Sequence, residues 1–230
     1  MVFDEDDVME VKRARKIDLF NNEAGRPENG SIPQSINEKV PVSQLMCGGM
    51  HSVILTPGGQ AYSWGCNDDG ALGRQGGNDS LPELVSLPHP VDGVALGGSH
   101  TVFYNTEMSN AFFCGLYRNA IKGRVTDPIK EPTEIGQGMF RKGKRRLSKI
   151  VSGLDHNVAL TTDGKVWAWG DSESGKIGRM TISRGSRVVN HMKIEQVGAK
   201  KAADIFCGGH ASFYRNEKGQ LFAWGLNNHG

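Results

Sequence analysis

CGGMHSVILTPGGQAYSWGCNDDGALGR, residues 47–74, is the stretch on which the fold turns. Val53 and Leu55 alternate with Ser52, Ile54 and Thr56, and beyond Pro57-Gly58-Gly59 the residues Tyr62 and Trp64 alternate with Ala61 and Ser63. Period-two alternation on both sides of a glycine turn reads as two short antiparallel strands, with glycine supplying the positive φ that a tight hairpin needs. The design returns three times, as LGGSHTVFYNTEMSNAFFCG (96–115), VSGLDHNVALTTDGKVWAWG (151–170) and CGGHASFYRNEKGQLFAWG (207–225). The histidines His51, His100, His156 and His210 stand 49, 56 and 54 residues apart, and each closing glycine follows its histidine by 14 or 15 residues. Hairpin length is therefore fixed while the connections vary.

Asp163-Gly164 and Lys218-Gly219 supply the third and fourth turns, whereas the second unit carries Glu107, Met108 and Ser109, which predicts a longer or distorted turn. On the second strand the alternate slots hold Tyr62 and Trp64, Phe112 and Cys114, Trp167 and Trp169, and Phe222 and Trp224, one face that is nearly all large and apolar. A lone hairpin cannot bury such a face, so units of about 50 residues are expected to stack as blades around an axis, each covering its neighbour. Gly70-Ala71-Leu72-Gly73 and Gly175-Lys176-Ile177-Gly178 mark sharp reversals after two of the hairpins. The fold class read from this pattern is all-β, a β-propeller with about four blades between residues 33 and 230. Pro33 to Cys47 and Pro82 to Leu96 read as connectors. The chain stops at Gly230, where a further reversal should begin, so the ring is expected to be open at its C-terminal end. Residues 1–32, acidic and then basic, are expected to form a disordered tail.

With 230 residues, 37% of them hydrophobic, the chain has enough apolar material for a sizeable core. Its apolar runs fall well short of the roughly 20 residues that cross a bilayer, and no charged start leads into an apolar stretch as in a signal peptide, which reads as an intracellular protein. The sequons at Asn29 and Asn78 are then chance matches. Cys47, Cys66, Cys114 and Cys207 show no C-x-x-C spacing and read as reduced core residues, Cys47 and Cys207 sharing a slot with Leu96 and Val151. The histidines each occupy one place in separate blades, which argues for a structural role with ring nitrogens bonded to nearby backbone rather than for a metal site. The net charge of +2 hides local asymmetry: Asp4, Glu5, Asp6, Asp7 and Glu10 precede Lys12, Arg13, Arg15 and Lys16, and a second basic run spans Arg141 to Lys149. That second run reads either as a contact for nucleic acid or an acidic partner, or as a solvated loop.

The set of G-G-x-H, glycine turn, W-G and G-x-L-G, recurring about every 50 residues, resembles the repeat of the regulator of chromosome condensation family, over about residues 33–230. The first unit looks closer to the family's Ran exchange factors than to a generic repeat. The resemblance implies a seven-bladed ring, about three blades of which lie outside this sequence. It also implies guanine nucleotide exchange on a Ran-type small GTPase: such factors bind the nucleotide-free GTPase more tightly than the loaded one and so accelerate GDP release. That activity involves no covalent chemistry, and hence no catalytic acid, base or nucleophile, no cofactor, no metal, no small-molecule substrate and no membrane.

The family inserts a short β-wedge just after the second strand of one blade, which by position is YRNAIKGRV, Tyr117 to Val125. This implies GTPase contact by Arg118, Asn119, Ala120, Ile121, Lys122 and Gly123. Arg118, Asn119 and Gly123 are kept, while the family's acidic and double-asparagine character is lost. Asp155 is similar in position to an acidic residue important for exchange, in a slot where the other units have Met50, Ser99 and Gly209; a local turn or capping carboxylate is the second reading. A family acidic position one blade earlier falls on Gly98. For chromatin, Arg184 and Arg187 in RMTISRGSRVV correspond to a looped-out segment whose arginines reach the acidic patch of histones, as a guanidinium fork can grip paired carboxylates. Lys12, Arg13, Arg15 and Lys16 correspond to a basic tail that touches DNA phosphates, and fit a nuclear localisation patch. The implied location is the nucleus, on chromatin. The alternative is an interaction module with this repeat but without exchange activity.

Overall fold

The computed structural model describes residues 41–119, 123–178, 190–198 and 201–226. The tail expected over residues 1–32 lies outside them. The described residues form successive antiparallel sheets. The first blade contains β1 (Gln44–Cys47), β2 (His51–Leu55), β3 (Ala61–Gly65) and β4 (Glu83–Leu84), paired in that order. The second contains β5 (Gly93–Leu96), β6 (His100–Asn105), β7 (Asn110–Gly115) and β10 (Ile129–Ile135). Between β7 and β10 a small separate hairpin forms from β8 (Arg118–Asn119) and β9 (Gly123–Arg124). The third blade pairs β11 (Leu147–Ser152), β12 (His156–Thr161), β13 (Val166–Gly170) and β14 (Glu195–Val197), and the fourth pairs β15 (Ala202–Cys207), β16 (Ala211–Asn216) and β17 (Leu221–Gly225).

The expected hairpins are the middle two strands of each blade. Three turns close with a glycine at positive φ, Gly59 (77°), Gly164 (73°) and Gly219 (80°), over three-residue loops. In the second blade the loop between Asn105 and Asn110 is one residue longer, and Ser109 takes the left-handed conformation at φ 58°. The stretches read as connectors are corrected: Gln44–Cys47 is the first strand of its own blade, and residues 82–96 supply both the outer strand β4 and the first strand β5 of the next blade. β1, β4 and β5 are short and lack the alternation that marks the hairpins, and β1, β5, β11 and β15 gather around a shared cleft lined by Cys47, Leu96, Ser152 and Cys207. That register places Ser152, not Val151, in the cysteine slot.

A second correction concerns the fourth repeat. Its strand pairing sets Ala211 opposite Gly225, where His51, His100 and His156 stand opposite Gly65, Gly115 and Gly170. Ala211 thus fills the histidine slot, and His210 sits where the other blades have Met50, Ser99 and Asp155. The carbonyl of each of those four residues accepts from the N–H following the closing glycine, at 2.8–3.0 Å.

Apolar cores lie between blades rather than within them, so both faces of the middle sheets are covered. Val53, Leu55 and Val85 of the first blade meet Phe103, Phe112 and Cys114 of the second; Val102 and Phe113 of the second meet Trp167 and Trp169 of the third; Val158, Ala168 and Ile177 meet Ile205 and Tyr214 of the fourth. The repeat histidines latch these joints. His51 Nε2 lies 2.8 Å from Thr101 Oγ1, His100 Nε2 3.1 Å from Asn157 Oδ1 and His156 Nε2 2.8 Å from Ser212 Oγ, each partner belonging to the next blade. The expectation of nearby backbone partners is therefore overturned, because the rings point across the joint. The hydroxyls of Thr101 and Ser212 spend their protons on the carbonyls of Ala71 and Lys176, and the Asn157 partner is an amide oxygen, so each ring donates from Nε2. The rings fold back over Gly48, Gly97 and Gly153, where an added Cβ would lie within 2.6, 2.0 and 2.1 Å of ring carbon Cε1. That close approach accounts for the first glycine of the motif.

Candidate functional site

The repeat histidines and closing glycines all lie at one end of the blades, and the hairpin turns lie at the other. At the histidine end of the second blade the chain does not reverse as in the first and third. After Gly115, at φ 95°, Leu116 donates its N–H to Ser99 O, and Leu116 and Tyr117 are fully buried. The Tyr117 hydroxyl accepts from Asn157 Nδ2 at 2.6 Å, its N–H donates to Thr126 Oγ1 and its carbonyl accepts from Val125 N–H. Tyr117 is thus the root of the β8–β9 hairpin, filling the joint where a Gly-x-φ-Gly step stands in neighbouring blades. A hairpin forms at the place expected for a wedge.

Three carboxylates surround the hairpin's base. Asp155, half-buried at the corner between β11 and β12, accepts the Arg118 N–H at 2.7 Å. Burial pushes its carboxyl up, and neighbouring Asp171 adds to this, against the Arg118 hydrogen bond and the charges of Lys176 and His210. Asp69, from the step of the first blade, is 6% exposed and receives the Arg118 guanidinium through both Nε (2.9 Å) and Nη2, and Arg124 Nη2 at 3.1 Å. Burial raises this carboxyl, but hydrogen bonds from Arg118 and Ser99 and the charges of Arg118 and Arg124 bring it below its ordinary value. Asp171, from the third blade, accepts from Asn119 Nδ2 at 3.2 Å and pairs with Lys176 Nζ at 2.8 Å, both ends of that ion pair being 3% exposed.

Of the residues expected to touch a GTPase, Arg118, Asn119, Gly123 and Asp155 are brought together here. Ala120, Ile121 and Lys122 lie outside the described residues, as do Arg184, Arg187, Lys12, Arg13, Arg15 and Lys16. The local-turn reading of Asp155 is corrected: it accepts a backbone N–H, but from Arg118 in the β8–β9 hairpin, 37 residues away, rather than from its own turn. Gly98 donates its N–H to Leu154 O at the same corner of the second blade. Asp69, Asp171 and Lys176 escaped sequence reasoning; the signal for Asp69 was an acid ahead of Gly70 where the equivalent position in the third blade is Ser174. The basic run lies at the opposite, turn end, since Leu147 pairs with Thr161. Arg145 is held there over the Trp167 ring at 4.9 Å, while Arg141, Lys142 and Lys144 are exposed.

Blades latched in this way, with a hairpin rising from one of them, define an all-β partial propeller with a built protrusion at one end. Two models described as the regulator of chromosome condensation (RCC1) repeat match, one at residues 58–104 and 163–214, the other at 42–71 and 147–176. The chain belongs to the RCC1 repeat family. It is 34% identical to the regulator of chromosome condensation of Xenopus laevis over 82% of this chain and 47% of that protein, and 32% identical to that of Homo sapiens over 90% and 51%. The chain spans about half the length of the curated relatives it matches. Among solved structures, Prp20p of Saccharomyces cerevisiae, studied with its binding properties to Gsp1p and histones, aligns with a TM-score of 0.70 at 24% identity over 80% of this chain and 44% of that one, which supports the fold.

Proposed function

We propose that the chain is part of a guanine nucleotide exchange factor for a Ran-type small GTPase that works in the nucleus on chromatin. The observation that carries this reading is the β8–β9 hairpin, set on one end of the propeller and held by acids from the first and third blades. An exchange factor needs a rigid protrusion whose binding to the nucleotide-free GTPase outweighs its binding to the loaded form, and such a clamp supplies rigidity without any reacting group. Membership of a family whose members include the regulators of chromosome condensation supports it, as does the study of Prp20p with Gsp1p and histones.

Asp155 separates this reading from a purely structural one. In the full-length protein Asp155→Ala is expected to slow release of labelled GDP about tenfold or more while lowering stability by no more than about 2 kcal/mol, the loss of one capping carboxylate. Asp155→Asn keeps an acceptor for Arg118 N–H but no charge, and is expected to be impaired as well. Unchanged GDP release in the folded fraction of both variants would leave Asp155 as a structural cap. Chromatin binding is assigned to Arg184 and Arg187 with the basic segment Lys12–Lys16. It is expected to drop when both arginines become alanine and to weaken steeply between about 50 and 200 mM salt, with GDP release unaffected. Nucleosome pull-down at several salt concentrations checks this.

A second reading, an interaction module without exchange activity, draws on Arg118 and Arg124 being engaged by the chain's own Asp69 and on Gly98 standing at a family acidic position. Full-length wild-type protein that fails to accelerate GDP release would favour it.

A further inference from the structure

The β8–β9 hairpin has two residue pairs, Arg118 with Arg124 and Asn119 with Gly123. So short a ladder does not hold itself together in water. Its first pair, moreover, sets two cationic side chains directly opposite each other, an arrangement that opposes strand pairing. Asp69 reverses the sign of that contact. Its Oδ2 takes Arg118 and its Oδ1 takes Arg124, so one carboxylate from the neighbouring blade bridges the two strands. The acid is 6% exposed and fixed within the Asn67–Gly70 turn, while the guanidinium-bearing side chains are 44% and 55% exposed. The rigid partner is thus the acid, and the mobile partners are the arginines that it orders. Nothing in the repeat itself demands an acid there, as Ser174 occupies the equivalent place in the third blade.

We propose that Asp69 is a positioning residue: it holds the wedge in one pose by bridging the wedge's cross-strand arginine pair from the first blade. The consequence for exchange rests on the function proposed above, whereas the clamp itself does not. Removal of Asp69 leaves two half-exposed arginines that water can solvate, so the propeller stays folded while the hairpin opens.

Hydrogen exchange on the full-length protein, read at the amides of β8, β9 and Val125 with Val53 and Phe103 as blade controls, tests the clamp. Asp69→Asn is expected to speed wedge exchange at least about tenfold and leave the blade controls unchanged, as for loss of a charge-assisted bond in a locally opening segment. Asp69→Glu should restore most of the protection. Arg124→Glu makes the cross-strand pair attractive, so adding it to Asp69→Asn should also restore protection; this decides the matter if the single variant proves globally unstable. Wedge protection that is the same in Asp69→Asn as in wild type, or not recovered by Arg124→Glu, overturns the proposal. In parallel, Asp69→Asn should lower the maximal rate of GDP release about tenfold with little change in the half-saturating concentration. Wild-type protein without exchange activity sinks the functional reading alone, since the amide data still decide the clamp.

Discussion

Acidification from pH 7 to pH 5 is expected to remove about 5 kcal/mol of stability, roughly 2 kcal/mol from each of the three repeat histidines at most, which is a large part of a domain's usual margin. Burial lowers His51 and His156 to about 4 and His100 to about 3, from an ordinary value of 6.5. The secondary causes differ: His100 is helped by Asn157 and opposed by His51 and His156, while His156 is opposed by Lys176 and His210 and helped by Asp171. Each ring already donates from Nε2, and Nδ1 of His100 and His156 is buried without a partner, so a second proton would be an unsatisfied buried donor. Below pH 6.5 the unfolded chain therefore binds protons that the folded chain refuses. The latches contribute fully above about pH 6.5, and their contribution falls progressively until the pH reaches the folded-state values near 3–4. Urea unfolding followed by tryptophan fluorescence at pH 7, 6 and 5 reads this directly. His51→Gln should flatten the slope by about a third, and stability that stays level from pH 7 to pH 5 contradicts the latch reading.

The sequence made legible what is decided locally. Hairpin alternation, positive-φ glycines and the closing glycine depend on residues within about fifteen positions of one another, and all three recur in the structure. The glycine of each W-G is a clear case: Gly65 and Gly170 sit at φ 115° and 113° with an added Cβ within 2.5 and 2.6 Å of a backbone carbonyl. No other residue fits there, so the letter itself marks the corner. Matching the fourth repeat by its histidine puts the register one residue out, because the fold counts back from Gly225 and arrives at Ala211. Without a histidine there, the slot keeps its backbone geometry, with Ala211 opposite Gly225 and Leu226 N–H on the His210 carbonyl.

The first strands and the acid clamp escaped for a different reason. Gln44–Cys47 is a strand because of what it pairs with, not because of its own pattern. Asp69 meets Arg118 and Arg124, and Asp171 meets Asn119, through contacts spanning 49 to 55 residues between blades, and these chain separations carry no periodic signal. That a hairpin rises between β7 and β10 agrees with the family resemblance. Its means of support was not, because support comes from the blades on either side.

The Asp171–Lys176 pair gives the other large effect. Asp171→Ala is expected to cost about 3 to 5 kcal/mol, because it strands an ammonium that is 3% exposed in a site built for an ion pair. Asp155 also feels the Lys176 charge, which places the expected cost toward the lower end of that range. The backbone carbonyl of Lys176 holds Ser212 Oγ and Trp224 Nε1 at 2.8 and 3.0 Å, so displacement of this residue to hydrate its side chain disturbs the joint between the third and fourth blades. Lys176→Met removes the charge but keeps the stem, and combined with Asp171→Ala it should recover most of the loss, giving a coupling of about 2 kcal/mol or more in a double-mutant cycle. The double variant still lacks the Asp171 carboxylate that accepts from Asn119 Nδ2, so its hairpin amides should exchange faster than those of wild type even where its unfolding midpoint is restored. Guanidinium melts and hydrogen exchange on the same four proteins separate the two effects. A cost below about 1 kcal/mol for Asp171→Ala alone would mean that water reaches Lys176 freely, and the ion pair would then be no part of what fixes the joint.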